Sequence, residues 1–128
     1  MIAGDESAAE GAHERFRPED RIRKRADYLR CYHRGRRRSG RLLRAHVHPN
    51  RLGHPRLGIT ASRRVGNSVV RHRVKRRLRE IYRRWPRRSE LPPLDIVFHV
   101  LPPAADAGFG DLATEAERLL RGLIDSPR

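Results

Sequence analysis

A chain of 128 residues with 30 Lys/Arg against 15 Asp/Glu, a formal charge of +15, can build one modest core and calls for a polyanionic partner, nucleic acid or an anionic membrane surface. A lone cysteine, Cys31, excludes an internal disulfide and a multi-cysteine zinc site. No apolar run approaches the roughly 18 residues of a membrane span and the N-terminus has no apolar signal segment, so the expected location is cytoplasmic.

Residues 1–14 hold Asp5, Glu6, Glu10 and Glu14 and no Lys or Arg, scattered among Ala, Gly and Ser. Such a stretch cannot bury enough apolar surface to offset its ordering entropy, so it reads as a disordered acidic tail ahead of one folded domain, residues 15–125. Pro18-Glu19-Asp20 reads as a helix start, with Pro in the first turn and acids at the positive end of the dipole. Ile22, Ala26, Leu29 and Tyr32 or His33 continue at helical spacing to about His33, and Gly35 stops the helix. Arg36 to Gly40 is a basic loop.

Leu42 to His48 alternates as a strand does, with Leu43, Ala45 and Val47 toward the core and Leu42, Arg44, His46 and His48 on the other side. Pro49 to Pro55 is a turn, and Leu57 to Ser62 is a second strand expected to pair antiparallel with the first.

The segment Arg63 to Arg88 holds twelve Lys or Arg, eleven of them Arg, against the single acid Glu80. Gly66-Asn67 is a turn, and Asn67 is suited to cap a helix by accepting a first-turn N–H. Val70, Val74, Leu78, Ile81 and Trp85 then keep one apolar seam on a helix that Pro86 ends. Arg71, Lys75 and Arg79, spaced by four, share a face with His72, Arg76 and Arg83 beside them, so a helix about 25 Å long presents a cationic ridge. Like charges at i, i+4 repel by a few tenths of a kcal/mol per pair, so the ridge costs stability unless a polyanion offsets it. Arginine suits that task through bidentate phosphate contacts and stacking on bases.

Leu94 to Leu101 is the strongest strand by β-branched and aromatic content, ended by Pro102-Pro103. Asp111 opens a last helix with Leu112, Ala116, Leu119, Leu120 and Leu123 in register. The order αββαβα, with a β-α-β unit around the basic helix, argues a single α+β domain with a small mixed sheet packed by helices.

Catalytic machinery is not evident. His46 and His48 form an H-x-H without a third ligand, and the acids lie in the tail, at helix starts, at Glu80 and at Glu90 and Asp95, with no pair in a plausible pocket. No catalytic or metal-binding residue is therefore assigned. Phe16, Tyr28 and Tyr32 stand among Arg25, Arg30, Arg34 and the basic loop. Two roles stay open for these rings, core packing or a stacking platform for single-stranded nucleotides.

The run Leu57-Gly58-Ile59-Thr60-Ala61-Ser62-Arg63-Arg64-Val65-Gly66-Asn67 continues through Arg71-His72-Arg73-Val74-Lys75-Arg76-Arg77-Leu78-Arg79-Glu80. It closely resembles the signature of the bacterial ribonuclease P protein subunit. Phe16, Arg21 to Lys24, Asp27-Tyr28-Leu29, Gly35 and Asp95-Ile96-Val97 extend the resemblance over roughly residues 15 to 123. Arg71-His72-Arg73 stands where the family carries Arg-Asn-Arg, so His72 departs from the pattern.

The resemblance implies a ribosomal protein S5 domain 2-like fold with a left-handed β-α-β crossover. It implies an RNA-binding subunit of an endoribonuclease that removes the 5′ leader of precursor tRNA, with hydrolysis done by the RNA subunit using Mg²⁺ held mainly by RNA and substrate. Partners would be the catalytic RNA, one protein to each, and the precursor tRNA leader. Arg64, Asn67, Arg71, His72, Arg73, Lys75, Arg76 and Arg79 would contact the catalytic RNA. Phe16, Tyr28 and Tyr32, with Arg44 and His46, would line the leader groove. The alternative is a structural RNA-binding protein of ribosomal type, which shares charge and fold but has no use for a leader groove.

Overall fold

The computed structural model describes residues 16–125, so the acidic tail expected at residues 1–14 lies outside the described residues. Helix α1 spans Arg25–Arg34, followed by strands β1 (Arg36–Ser39), β2 (Leu43–Pro49) and β3 (Arg56–Ala61). The basic helix α2 (Ser68–Arg84), strand β4 (Leu94–Val100) and helix α3 (Phe109–Asp125) complete the chain. Among the described residues, no helix is long and apolar enough to cross a membrane.

The four strands form one mixed sheet in the order β1-β2-β4-β3. β2 pairs antiparallel with β4, from Leu43 opposite Val100 to Pro49 opposite Leu94, whereas β3 runs parallel to β4, from Arg56 opposite Asp95 to Ala61 opposite Val100. The expected antiparallel pairing of β2 with β3 is thus corrected, because β4 lies between them. Its composition suits the place: Ile96, Phe98 and Val100 on one face and Val97 on the other are all buried, as fits a strand covered on both faces. Asp95 at the head of β4 ties both flanks to it. Its carboxylate accepts from Asn50 Nδ2 at 2.9 Å and from Arg56 Nε and a terminal guanidinium N–H at 2.8 and 2.7 Å.

Two further expectations change. Arg36 to Ser39 is not a loop but the edge strand β1, paired antiparallel with β2 from Arg36 opposite Val47 to Ser39 opposite Arg44. A charged edge strand resists pairing with other chains, which is why arginine is tolerated there. Pro18–Asp20 is a separate 3₁₀ turn, closed by the Asp20 carboxylate on the Arg17 N–H at 2.9 Å, rather than the first turn of α1. Beyond it the chain is extended, the Ile22 N–H donates to Leu57 O at 3.0 Å, and Ile22 is buried with Cys31 and Val97. Consequently Ala26 is exposed and Leu29 is 37% exposed, and α1 faces the sheet with Tyr28, Cys31 and Tyr32 instead.

On the opposite sheet face, Leu43, Ala45, Val47, Leu57, Ile59, Ile96, Phe98 and Val100 meet Val74, Leu78, Ile81 and Tyr82 of α2, Trp85 just past its end, and the leucines of α3. This is the main core. Truncating Leu78, fully buried, to Ala would cost roughly 2–5 kcal/mol. Leu42 precedes β2 and turns into this core rather than onto the opposite face. There the Glu115 carboxylate of α3 accepts the N–H groups of Arg41, Leu42 and Leu43 at 3.0, 2.8 and 2.6 Å.

Candidate nucleic-acid interface

The basic helix is started by two residues with separate tasks. Gly66 has φ 155°, a conformation that side chains rarely adopt, and a Cβ there would stand 2.9 Å from the Val70 side chain. Asn67 then caps the helix, its side-chain oxygen accepting the Val70 N–H at 3.0 Å. Arg64 is exposed in the turn just before this start.

Val74, Leu78, Ile81 and Tyr82 fix the rotation of α2 about its axis. At roughly 100° per residue, His72, Lys75, Arg76 and Arg79 then fall on one flank of the seam, with Arg71 close to it. Arg73 falls on the other flank, where a guanidinium N–H reaches the carbonyl of Ala105 at 3.4 Å. The ridge expected on Arg71, Lys75 and Arg79, with His72, Arg76 and Arg83 beside them, lies along the first flank, and Arg73, which resemblance groups with the RNA-contacting residues, is set apart from it.

Glu80 is engaged by Arg83 at 2.5 Å and Arg84 at 3.5 Å. Among the described residues, Arg71, Lys75, Arg76 and Arg79 take part in no ion pair, so the N-terminal part of α2 presents uncompensated charge.

Beside this flank lies a recess of about 300 Å³ bounded by Phe16, Arg21, Tyr28, Gly58 and Arg79. Phe16 meets Tyr82 edge-on at 5.8 Å, and the Arg21 guanidinium stands 4.9 Å from the centre of its ring. Tyr28 donates its hydroxyl to Ile22 O at 3.2 Å, and its burial pushes its pKa up. Arg79, expected on the catalytic-RNA side, thus shares a recess with two rings expected on the leader side.

One turn further along α1, Tyr32 lies over the sheet. Its ring centre is 4.5 Å from that of His46, and its hydroxyl is 2.5 Å from Thr60 Oγ1. His46 is only 7% exposed, so it lies beneath Tyr32 rather than on the surface where strand parity alone would leave it. Burial, helped by His99, Arg44 and Arg37, lowers its pKa to about 4. Burial and Arg44 lower that of His99 as well. Arg44 is half-buried with an unpartnered Nε.

The structure thus gathers Tyr32, Arg44 and His46 on one sheet face, sets Tyr28 a turn away over Gly58, and leaves Phe16 at the far end against α2. Sequence reasoning missed Thr60, His99 and Gly58. Strand parity puts His99 on the face of Val97, but Thr60 beside His99 and Gly58 beside Val97 follow only from the parallel pairing of β3 with β4.

The buried and half-buried carboxylates Asp27 and Asp95 are committed to Arg56, Glu80 to arginines, and Glu115 to three backbone N–H groups. They do not fit a divalent-cation site. Among the described residues no group of three or more His, Cys, Asp or Glu could hold a metal ion.

Known proteins share this fold. A family model described as Ribonuclease P matches residues 16–123. The chain belongs to the ribonuclease P protein family. It is 35% identical over 103 residues to the ribonuclease P protein component of Clostridium botulinum strain Langeland, covering 80% of this chain and 93% of that one. It is 38% identical over 116 residues to that of Streptomyces griseus, covering 83% and 93%. Among solved structures, the Staphylococcus aureus RNase P protein superposes with a TM-score of 0.73 at 31% identity, over 80% of this chain and 93% of that one. The Thermotoga maritima RNase P protein gives 0.71 at 26% identity, over 79% and 94%. Membership makes the chain an RNA-binding subunit of the ribonuclease P ribonucleoprotein, acting in tRNA processing with ribonuclease P RNA and precursor tRNA.

Proposed function

We propose that the two surfaces divide the work of the ribonuclease P holoenzyme. Arg64, Asn67, Arg71, His72, Lys75, Arg76 and Arg79 dock on the catalytic RNA, and the α1 face of the sheet, with Tyr28, Tyr32 and Arg44, holds the single-stranded 5′ leader of precursor tRNA. The observation that carries this reading is the uncompensated flank of α2 lying next to a half-buried tyrosine face. Phosphates satisfy the first and unstacked bases the second.

In this reading the RNA subunit hydrolyses the phosphodiester with Mg²⁺ that RNA and substrate hold. The protein raises substrate affinity through phosphate contacts and stacking. By screening RNA–RNA repulsion it also lowers the Mg²⁺ concentration needed for productive binding. Phe16 closes the recess on the α2 side, and His46 supports Tyr32 from below. One protein serves each RNA, in the cytoplasm.

Single-turnover cleavage of a precursor tRNA at low Mg²⁺ by a cognate bacterial ribonuclease P RNA, with and without the chain, tests the proposal. Rescue of cleavage at the leader junction is the expected result. Tight RNA binding without rescue would favour a purely structural RNA-binding role.

A further inference from the structure

Three polar atoms converge where Tyr32 ends. The Tyr32 hydroxyl is 2.5 Å from Thr60 Oγ1, Thr60 Oγ1 is 3.0 Å from His99 Nδ1, and the Tyr32 hydroxyl is 3.3 Å from the same nitrogen. The three groups come from α1, β3 and β4, and Thr60 and His99 are register partners across the parallel ladder. The site is thus built on two adjacent strands of the sheet, one of them central, not on a loop.

We propose that Thr60 and His99 are positioning residues that fix Tyr32 for stacking on a nucleobase of the single-stranded RNA. The inference rests on the leader-binding reading of this face. A tyrosine on an exposed helix face would sample several rotamers and lose that freedom when a base lands on it, at a cost to affinity. Here the ring is held at its hydroxyl by Thr60 and along one side by His46, whose centre lies 4.5 Å away. Thr60 and His99 are each half-buried, so their polar atoms gain most by pairing with one another and with the phenol. The ordering entropy is spent on folding, before RNA arrives.

The prediction is specific to the hydroxyl. In the holoenzyme, Thr60→Val keeps the shape and removes the partner, so affinity for precursor tRNA should fall roughly 3- to 10-fold with mature tRNA unchanged. Thr60→Ser, which restores the oxygen, should restore affinity. Tyr32→Phe should reproduce Thr60→Val, and the double variant should be no worse than either single one, because both remove the same hydrogen bond. This second variant also covers the case in which Thr60→Val folds poorly.

Wild-type precursor affinity in both single variants, additive losses in the double variant, or equal weakening toward mature tRNA would each overturn the positioning role. Tyr32→Ala distinguishes positioning from leader binding itself. If it weakens precursor binding while Thr60→Val and Tyr32→Phe do not, only the positioning role fails. If Tyr32→Ala also binds like wild type, the leader reading of this face fails with it.

Discussion

Tyr28 occupies the space that any side chain at position 58 would need. A Cβ built on Gly58 would stand 2.6 Å from Tyr28 Cε1 and 2.8 Å from both Cζ and the hydroxyl oxygen, closer than atoms tolerate. The glycine lies in β3 opposite Val97, where the strand itself sets no demand for glycine, so its reason is the ring above it.

Gly58→Ala therefore acts as a lever on Tyr28. The ring is the far end of a side chain and can swing away, losing the hydroxyl bond to Ile22 O and part of its burial, for a stability cost of about 1–2 kcal/mol. If Tyr28 stacks on the leader, affinity for precursor tRNA should fall by about 1–3 kcal/mol while mature tRNA binds as before. Equal losses for the two ligands would return the ring to a packing role.

The flanks of α2 make a second prediction. Replacing Arg71 and Lys75 by Ala should reduce the salt dependence of RNA binding by roughly 0.7 to 0.9 in log–log slope for each phosphate left without its cationic partner. Arg73, whose guanidinium reaches Ala105 O on the opposite flank, should change that slope little when replaced by Ala. Resemblance alone grouped Arg73 with the others; a slope measurement on the three variants decides between the two groupings.

Much of this was legible in the residues. The seam Val74, Leu78, Ile81 and Trp85, the Asn67 cap and the leucines of α3 stand where periodicity placed them, because long amphipathic helices carry many concordant signals. Strand order was less legible, since antiparallel pairing of neighbours in sequence is the default and only the two-faced burial of β4 argues otherwise. The Arg36–Ser39 strand has no apolar alternation to reveal it, being an edge. Around α1, Ile22 suggested a helical stripe, yet it is buried from an extended segment. On the candidate site, Tyr28, Tyr32 and Arg44 were found as types, but their partners Gly58, Thr60 and His99 come from long-range pairing that no local pattern carries.

Glu115 makes the third prediction. Its carboxylate accepts three backbone N–H groups from residues 41–43, at 2.6 to 3.0 Å, and so holds the entry to β2 against α3. Glu115→Gln keeps the shape but turns one oxygen into a donor facing donors, and should cost about 1–3 kcal/mol. Glu115→Ala leaves all three N–H groups without their acceptor and should cost more. Urea denaturation at unchanged m would register both as shifts in midpoint, and wild-type midpoints would deny the carboxylate this role.

The buried histidine pair makes stability depend on pH in a stated direction. Burial first, then the nearby His99, Arg44 and Arg37, bring His46 to about 4, against an ordinary value near 6.5. His99 is lowered in the same sense by burial and Arg44. Below about pH 6.5 the unfolded chain therefore binds protons that the folded chain refuses, and folding stability falls as pH drops toward 4, His46 adding a slope of up to about 1.4 kcal/mol per pH unit and His99 acting in the same direction. Above pH 7 both states are neutral at these rings and the contribution vanishes. Chemical denaturation between pH 7.5 and 4.5 should show this decline, and His46→Phe, which keeps a ring beneath Tyr32 but cannot be protonated, should make it shallower. A profile that stays flat across that range in the wild-type chain would mean that His46 takes up its proton in place, and that the face beneath Tyr32 is wetter than its burial implies.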